Sequence, residues 1–146
     1  MHYLDIELKG IDENGEKKNY KLSDFKGQNV ILYFYPQDDT PVCTEEAKKF
    51  NEALDKIKEY AQVIGVSADE IEDHIEFQEK HKLHFPLLSD AMDKLKNAIK
   101  EHHPEIHNIQ RTTFVIDKEG NIVKVWEKVD VEDHIDEILD YFKDII

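Results

Sequence analysis

The chain of 146 residues is poor in several residue types, and each scarcity narrows what it can be. It holds one cysteine, Cys43, so no internal disulfide framework can staple it, and its thiol use fits a reducing compartment. It holds one arginine, Arg111, and one tryptophan, Trp126. Five glycines and four prolines leave no linker-like or low-complexity stretch, which predicts a single domain over 1–146. Positive charge is outnumbered: 19 Lys and Arg stand against 33 Asp and Glu, a formal net charge of −14. A surface of that sign argues against nucleic acid and anionic membranes as partners, since both reward a basic face. No hydrophobic run reaches membrane-spanning length, and the first residues lack the basic and apolar regions of a signal peptide. The expectation is a cytoplasmic globular protein. Its 40% hydrophobic content is enough to build a core despite 36% charged residues.

Periodicity outlines the elements. Leu4, Ile6 and Leu8 alternate with polar residues, Asp12-Glu13-Asn14-Gly15 offers a turn, and Tyr20 and Leu22 resume, predicting an opening β-hairpin. Ser23–Gly27 reads as a connector or single helical turn. Val30–Tyr35 is a continuous apolar run ended by Pro36, the pattern of a strand buried on both faces. Ala47, Phe50, Ala53, Leu54, Ile57 and Ala61 then fall at helical spacing, predicting a helix from about Pro41 to Tyr60 with Thr40 as N-cap and Pro41 at the first helical position. A strand at Val63–Ser67, a helix carrying Ile71, Ile75 and Phe77, and a strand at Pro86–Leu88 follow. A helix marked by Met92, Leu95 and Ile99, a hairpin from Thr113 to Trp126 and a closing helix with Ile135, Ile138, Leu139 and Phe142 complete the chain. That order implies an α/β fold with a mixed central sheet flanked by helices.

The chemistry concentrates at the lone thiol. With Thr40 as N-cap, Cys43 is the third residue of its helix, where unpaired backbone N–H groups and the helix dipole favour thiolate. Asp38, Asp39, Glu45 and Glu46 oppose an anion there, and Arg111, always protonated and rich in directed donors, is the natural compensating charge. Taken alone, a single cysteine is more often an inert core residue than a nucleophile. Tyr33, Phe34 and Tyr35 read as strand core, with Phe34 able to border the sulfur. His102, His103, Glu105 and His107 could be taken for a metal cluster, but Pro104 breaks their spacing and a polar helix end is the better reading.

Phe34 to Ala47, with Pro36, Thr40 and Cys43 in the spacing Pro-x3-Thr-x2-Cys, resembles the active-site segment of peroxiredoxins, and most closely the peroxiredoxin Q or bacterioferritin comigratory protein subfamily. Arg111–Asp117 followed by Gly120 is similar to that family's second block, and Ser23–Gly27 and Pro86–Asp90 match weaker landmarks in the right order. The resemblance implies a thioredoxin-like peroxiredoxin fold with an N-terminal β-hairpin, no metal or organic cofactor, and a thiol peroxidase acting on hydrogen peroxide and small organic hydroperoxides. It implies that Cys43 attacks peroxide and becomes a sulfenic acid, that Thr40 hydrogen-bonds the thiolate or the incoming peroxide, that Arg111 holds the sulfur anionic and stabilises charge moving along the breaking O–O bond, that Pro36 shields the sulfur, and that Glu46 orients the arginine.

Two departures carry consequences. Many relatives have a resolving cysteine five residues after the first, and here that position is Lys48. The sulfenic acid must therefore be reduced by an external thiol, such as a thioredoxin-type protein or a small thiol, or condense with a second copy in a monomeric or small oligomeric protein. Val42 stands where close relatives carry glycine, which stiffens the turn before the sulfur. Rival readings fare worse. Disulfide exchange lacks a Cys-x-x-Cys, a cysteine phosphatase would need arginine where Lys49 stands, and a redox sensor would use Cys43 only to report peroxide.

Overall fold

The computed structural model describes residues 2–127 and 129–145. Seven strands form one mixed sheet: β1 (Leu8–Ile11), β2 (Lys17–Tyr20), β3 (Asn29–Phe34), β4 (Ala61–Ser67), β5 (Leu87–Ser89), β6 (Thr113–Ile116) and β7 (Ile122–Trp126), in spatial order β2-β1-β5-β4-β3-β6-β7. The helices are α1 (Pro41–Glu52), α2 (Leu54–Ile57), α3 (Ile71–His81), α4 (Lys94–His102) and α5 (Val131–Ile145). The central strands β3, β4 and β5 run parallel, and antiparallel hairpins extend the sheet on both sides.

Because side chains alternate across a strand, β3 divides the core in two. Ile31, Tyr33 and the adjoining Tyr35 face α1, α3 and α5, packing with Phe50, Phe77 and Phe142. Val30, Leu32 and Phe34 face the other layer, packing with Leu95, Ile99, Ile109 and Phe114. Cys43 belongs to the first cluster. Phe34 therefore points away from the sulfur, and the aromatic residues on its side are Tyr33 and Tyr35. Trp126 packs its ring edgewise against His134 and Tyr141, under the Lys124 ammonium.

Several boundaries differ from the sequence expectation for local reasons. The helix predicted to reach Tyr60 breaks at Ala53 (φ −94°, ψ 0°), whose N–H is shared between the carbonyls of Lys49 and Phe50. The chain restarts as α2, which buries Ile57. Leu4 lies in a 3-10 turn, Tyr3–Asp5, because the His2 imidazole accepts the Leu4 N–H and the Tyr3 hydroxyl donates to the Gly120 carbonyl. Leu22 likewise opens a 3-10 turn, Leu22–Phe25, closed by Asp24 accepting the Lys21 N–H. Met92 precedes α4 and is exposed; the buried Asp90 carboxylate caps that helix, accepting the N–H groups of Leu95 and Lys96 at 3.1 and 3.0 Å. The strand placed at Pro86–Leu88 is shifted by one residue, to Leu87–Ser89, where it pairs with both β1 and β4.

Candidate active site

The β3 strand delivers the chain to Pro36, a loop of four residues follows, and α1 begins at Pro41. Thr40 is the N-cap by backbone geometry, and its carbonyl takes the first helical bond from the Thr44 N–H at 2.8 Å. Its hydroxyl does not cap the helix; it donates to the Gln37 carbonyl at 3.0 Å and folds the loop on itself. The amide hydrogens of the first turn are therefore not consumed by the Thr40 side chain. Cys43 follows two residues inside the turn, only 2% exposed. Pro36 and Thr40 are half-buried, while Pro41 and Val42 are exposed, so an apolar rim surrounds a covered sulfur.

Three of the four carboxylates expected to oppose an anionic sulfur have a compensating partner, and burial holds the fourth partly protonated. Glu45 faces Lys49 one turn along at 3.8 Å. Asp39, held at φ 60°, accepts from the His81 ring and from the Lys80 ammonium at 3.0 and 2.6 Å, and these contacts lower its pKa. Asp38 is buried and lies 2.6 Å from the His74 ring. Glu46, half-buried one turn beyond Cys43, has its pKa pushed up to about 7 by burial, against the opposing pull of Arg111. Near neutral pH its carboxyl is thus only partly ionised.

Arg111 ends a 3-10 turn, Ile109–Arg111, just before β6. The adjoining Thr112 carbonyl accepts the Phe34 N–H at 3.0 Å, which ties this turn to the end of β3 beside the Cys43 loop. Its side chain is exposed and takes part in no ion pair among the described residues. Its charge nevertheless reaches the Glu46 carboxyl and opposes the effect of burial there.

Three buried polar groups around this site are not evident from the motif. His74 is wholly buried, with Nδ1 against Asp38 Oδ2 and Nε2 against the Leu88 carbonyl at 2.9 Å. The Tyr33 hydroxyl is buried without a hydrogen-bond partner in the layer beneath Cys43. His134 on α5 meets the Thr113 hydroxyl at 2.9 Å, and burial lowers its pKa to about 4. A signal for His74 was available: with Ile71 and Gln78 it falls at i, i+3, i+7 on the buried face of α3.

The His102–His107 stretch behaves as a polar helix end, with His103 paired to Glu105 at 3.0 Å. Among the described residues, the ligand-type atoms that do converge are those of Asp38, Asp69 and His74, all within 4.8 Å of one another. Both ring nitrogens of His74 are already engaged there, and Asp69 Oδ2 accepts from the Asp38 N–H and the Ser67 hydroxyl. That donor set is a closed hydrogen-bond network, not an open cation cradle.

A covered thiol at a helix N-terminus, seated at the end of a central strand in a mixed sheet with an N-terminal hairpin, defines a thioredoxin-like thiol enzyme. Comparisons with known proteins agree. Residues 2–125 match the model of the AhpC/TSA family, and the chain belongs to that family. It is 47% identical to peroxiredoxin Bcp of Bacillus subtilis over 97% of this chain and 92% of the relative. Among solved structures it superposes on the Xanthomonas campestris bacterioferritin comigratory protein, described for alkyl peroxide reduction, with TM-score 0.84, 30% identity and coverage of 97% and 92% of the two chains. The Xylella fastidiosa PrxQ structure gives TM-score 0.84 at 33% identity, covering 97% and 90%. Within the family the chain is a peroxiredoxin of the Bcp/peroxiredoxin Q group, a thiol peroxidase without a resolving cysteine.

Proposed function

We propose that the protein reduces hydrogen peroxide and small organic hydroperoxides by a one-cysteine cycle centred on Cys43. The observation that carries this reading is the sole thiol, covered at the N-terminus of α1. The Cys43 thiolate attacks one peroxide oxygen. A sulfur–oxygen bond forms as the O–O bond breaks, and the leaving oxygen takes up a proton to depart as water or alcohol. Arg111, with its donors uncommitted to a carboxylate, stabilises the charge that moves onto the leaving oxygen. The free backbone N–H groups of the first turn and the Thr40 hydroxyl, released from the Gln37 carbonyl, provide the remaining donors. Pro36 limits water at the sulfur, and Glu46 steadies Arg111 when ionised.

The sulfenic acid is then resolved by an external thiol. Attack of that thiolate on sulfur forms a mixed disulfide and releases water, and a second thiol regenerates Cys43. A thioredoxin-type protein or a small thiol fits this role in a reducing cytoplasm. No helix among the described residues is long and apolar enough to cross a membrane. Single-turnover and steady-state peroxide consumption by wild type and Cys43→Ser tests the reading. Wild type should consume peroxide at the expense of its thiol and the variant should not; equal rates would sink it.

A further inference from the structure

The Tyr33 hydroxyl is a buried donor for which the cycle above has no use. Tyr33 is wholly buried on β3, and its hydroxyl has no hydrogen-bond partner among the described residues. A buried hydroxyl left unpaired is a standing cost to the fold, and phenylalanine would fill the same space without it. The surroundings of the ring show what the hydroxyl could serve.

The ring is clamped between α1 and the sheet. Cys43, Ala47 and Phe50 fall at i, i+4 and i+7, a buried stripe of α1. The Phe50 ring lies flat on the Tyr33 ring, with centroids 4.5 Å apart and planes 19° from parallel. On the sheet side, the strand register sets Tyr33 opposite Gly65 of β4, and the bare glycine makes the room. A Cβ at Gly65 would come within 3.1 Å of Cζ, the ring carbon that bears the hydroxyl. Tyr35 stacks at 5.4 Å and Phe85 meets the ring edgewise at 6.0 Å, so the phenol is fixed in place. The charges that bear on its hydroxyl are those of Glu46, Asp38 and Cys43, the thiol itself and two of the carboxyls that flank it. Burial first, and then those charges, hold the phenol well above its ordinary pKa of 10. Tyr33 therefore keeps its proton wherever the thiol titrates, and toward an anion it can only donate.

A neutral thiol is a weak acceptor, whereas a thiolate is a charged and much stronger one. Ionisation of Cys43 thus creates an acceptor in the same buried layer as the unpaired donor. We propose that Tyr33 takes part in the reaction: when Cys43 ionises, the Tyr33 hydroxyl donates to the sulfur from the sheet side and so raises the thiolate fraction. The proposal deepens the one-cysteine reading above and rests on it for its functional meaning. A donor that favours thiolate over thiol shifts the ionisation of Cys43, which a ring that serves only to pack would not do.

The test compares wild type with Tyr33→Phe, which keeps the ring, its stacking on Phe50 and its fit over Gly65. Two profiles are read against pH: the ultraviolet absorbance of the thiolate, and the second-order rate of thiol loss to hydrogen peroxide. Cys43 is the sole cysteine, so subtracting the matching Cys43→Ser protein leaves the thiolate signal free of tyrosine ionisation. Asp38, Asp39, Glu45, Glu46 and Arg111, the charged groups about the sulfur, are the same in both proteins, as are the nearby Tyr35 and His74. Both midpoints should move up together by about half a pH unit or more, so that below the midpoint the peroxide rate falls at least about threefold. The rate plateau above the midpoint should stay within about twofold of wild type, because the geometry of attack is untouched. The urea midpoint of Tyr33→Phe should be no lower than that of wild type, since no buried donor is left unpaired. Profiles that coincide with those of wild type overturn the proposal. So does a plateau that falls with no shift of midpoint, the mark of lost geometry and not of a lost donor. If wild type consumes no peroxide, the one-cysteine reading falls, and the thiolate titration still decides whether Tyr33 donates to the sulfur.

Discussion

Glu46 sits one helical turn beyond Cys43 with the Arg111 charge in range, and burial outweighs that charge: the carboxyl titrates near 7, above its ordinary 4.5. Between those two values the folded protein holds a proton that the unfolded chain has released. Stability therefore falls as pH rises through that window. The difference corresponds to roughly 2–3 kcal/mol once the partly exposed position is allowed for. Glu46→Gln should remove this slope and gain most relative to wild type at pH 8, measured as urea midpoints at pH 5 and pH 8. A pH dependence equal to that of wild type would show that the carboxyl is not buried as described.

His134 gives the opposite slope. Its pKa is lowered by burial from 6.5 to about 4, so the unfolded chain takes up the proton first as pH falls. The fold should lose stability from about pH 6.5 downward, by about 2 kcal/mol at pH 5, and the loss should level off below pH 4. In the wild type this partly cancels the Glu46 slope. The acid limb should consequently be steeper in Glu46→Gln and flat in Glu46→Gln with His134→Gln. Thermal or urea unfolding between pH 4 and 7 reads both, and an unchanged acid limb in the double variant would contradict the assignment.

Arg111→Lys retains the charge but loses the forked donors that follow the leaving oxygen. We expect the second-order rate with hydrogen peroxide to drop about tenfold or more, equivalent to about 1.4 kcal/mol of barrier. Folding stability should scarcely change, because the side chain is exposed and forms no ion pair among the described residues. A peroxide rate equal to wild type would remove Arg111 from the reaction.

With no second thiol in the chain, the sulfenic acid persists until an external thiol arrives. Excess peroxide without reductant should carry Cys43 on to sulfinic acid, seen in intact-mass spectra as two added oxygens. Adding a competent thiol at the outset should suppress that species. A protein that stays at the sulfenic stage under high peroxide would mean that the covered sulfur excludes a second oxidant molecule.

The features that frame Cys43 were legible in the sequence because their signals are local. Pro36 ends an apolar strand, Thr40 and Pro41 start a helix, and the spacing to Cys43 follows from a single turn. The central strands were legible because β3 and β4 are unbroken apolar runs. The break at Ala53 was not legible: alanine suits a helix interior, and only the bifurcated backbone bond reveals the change of direction. Phe34 is strand core as read, but strand alternation sends it to the layer opposite the sulfur it could have bordered.

What the sequence alone determined is the chemistry: one thiol, one guanidinium, no resolving cysteine at Lys48, and hence a cycle that needs a second molecule to close. Covalent composition settles such matters without reference to shape. The tertiary structure decided the electrostatics and the access. Asp38 looked like a free anion beside the sulfur, but folding buries it and brings the His74 ring to 2.6 Å from its carboxylate, from 36 positions away. Glu46 read as one more carboxylate opposing an anionic sulfur, but burial raises its pKa to about 7. Both effects depend on which groups lose water together. Desolvation and pairing are properties of neighbours in space, and for this loop those neighbours lie on α3, β5 and the turn before β6.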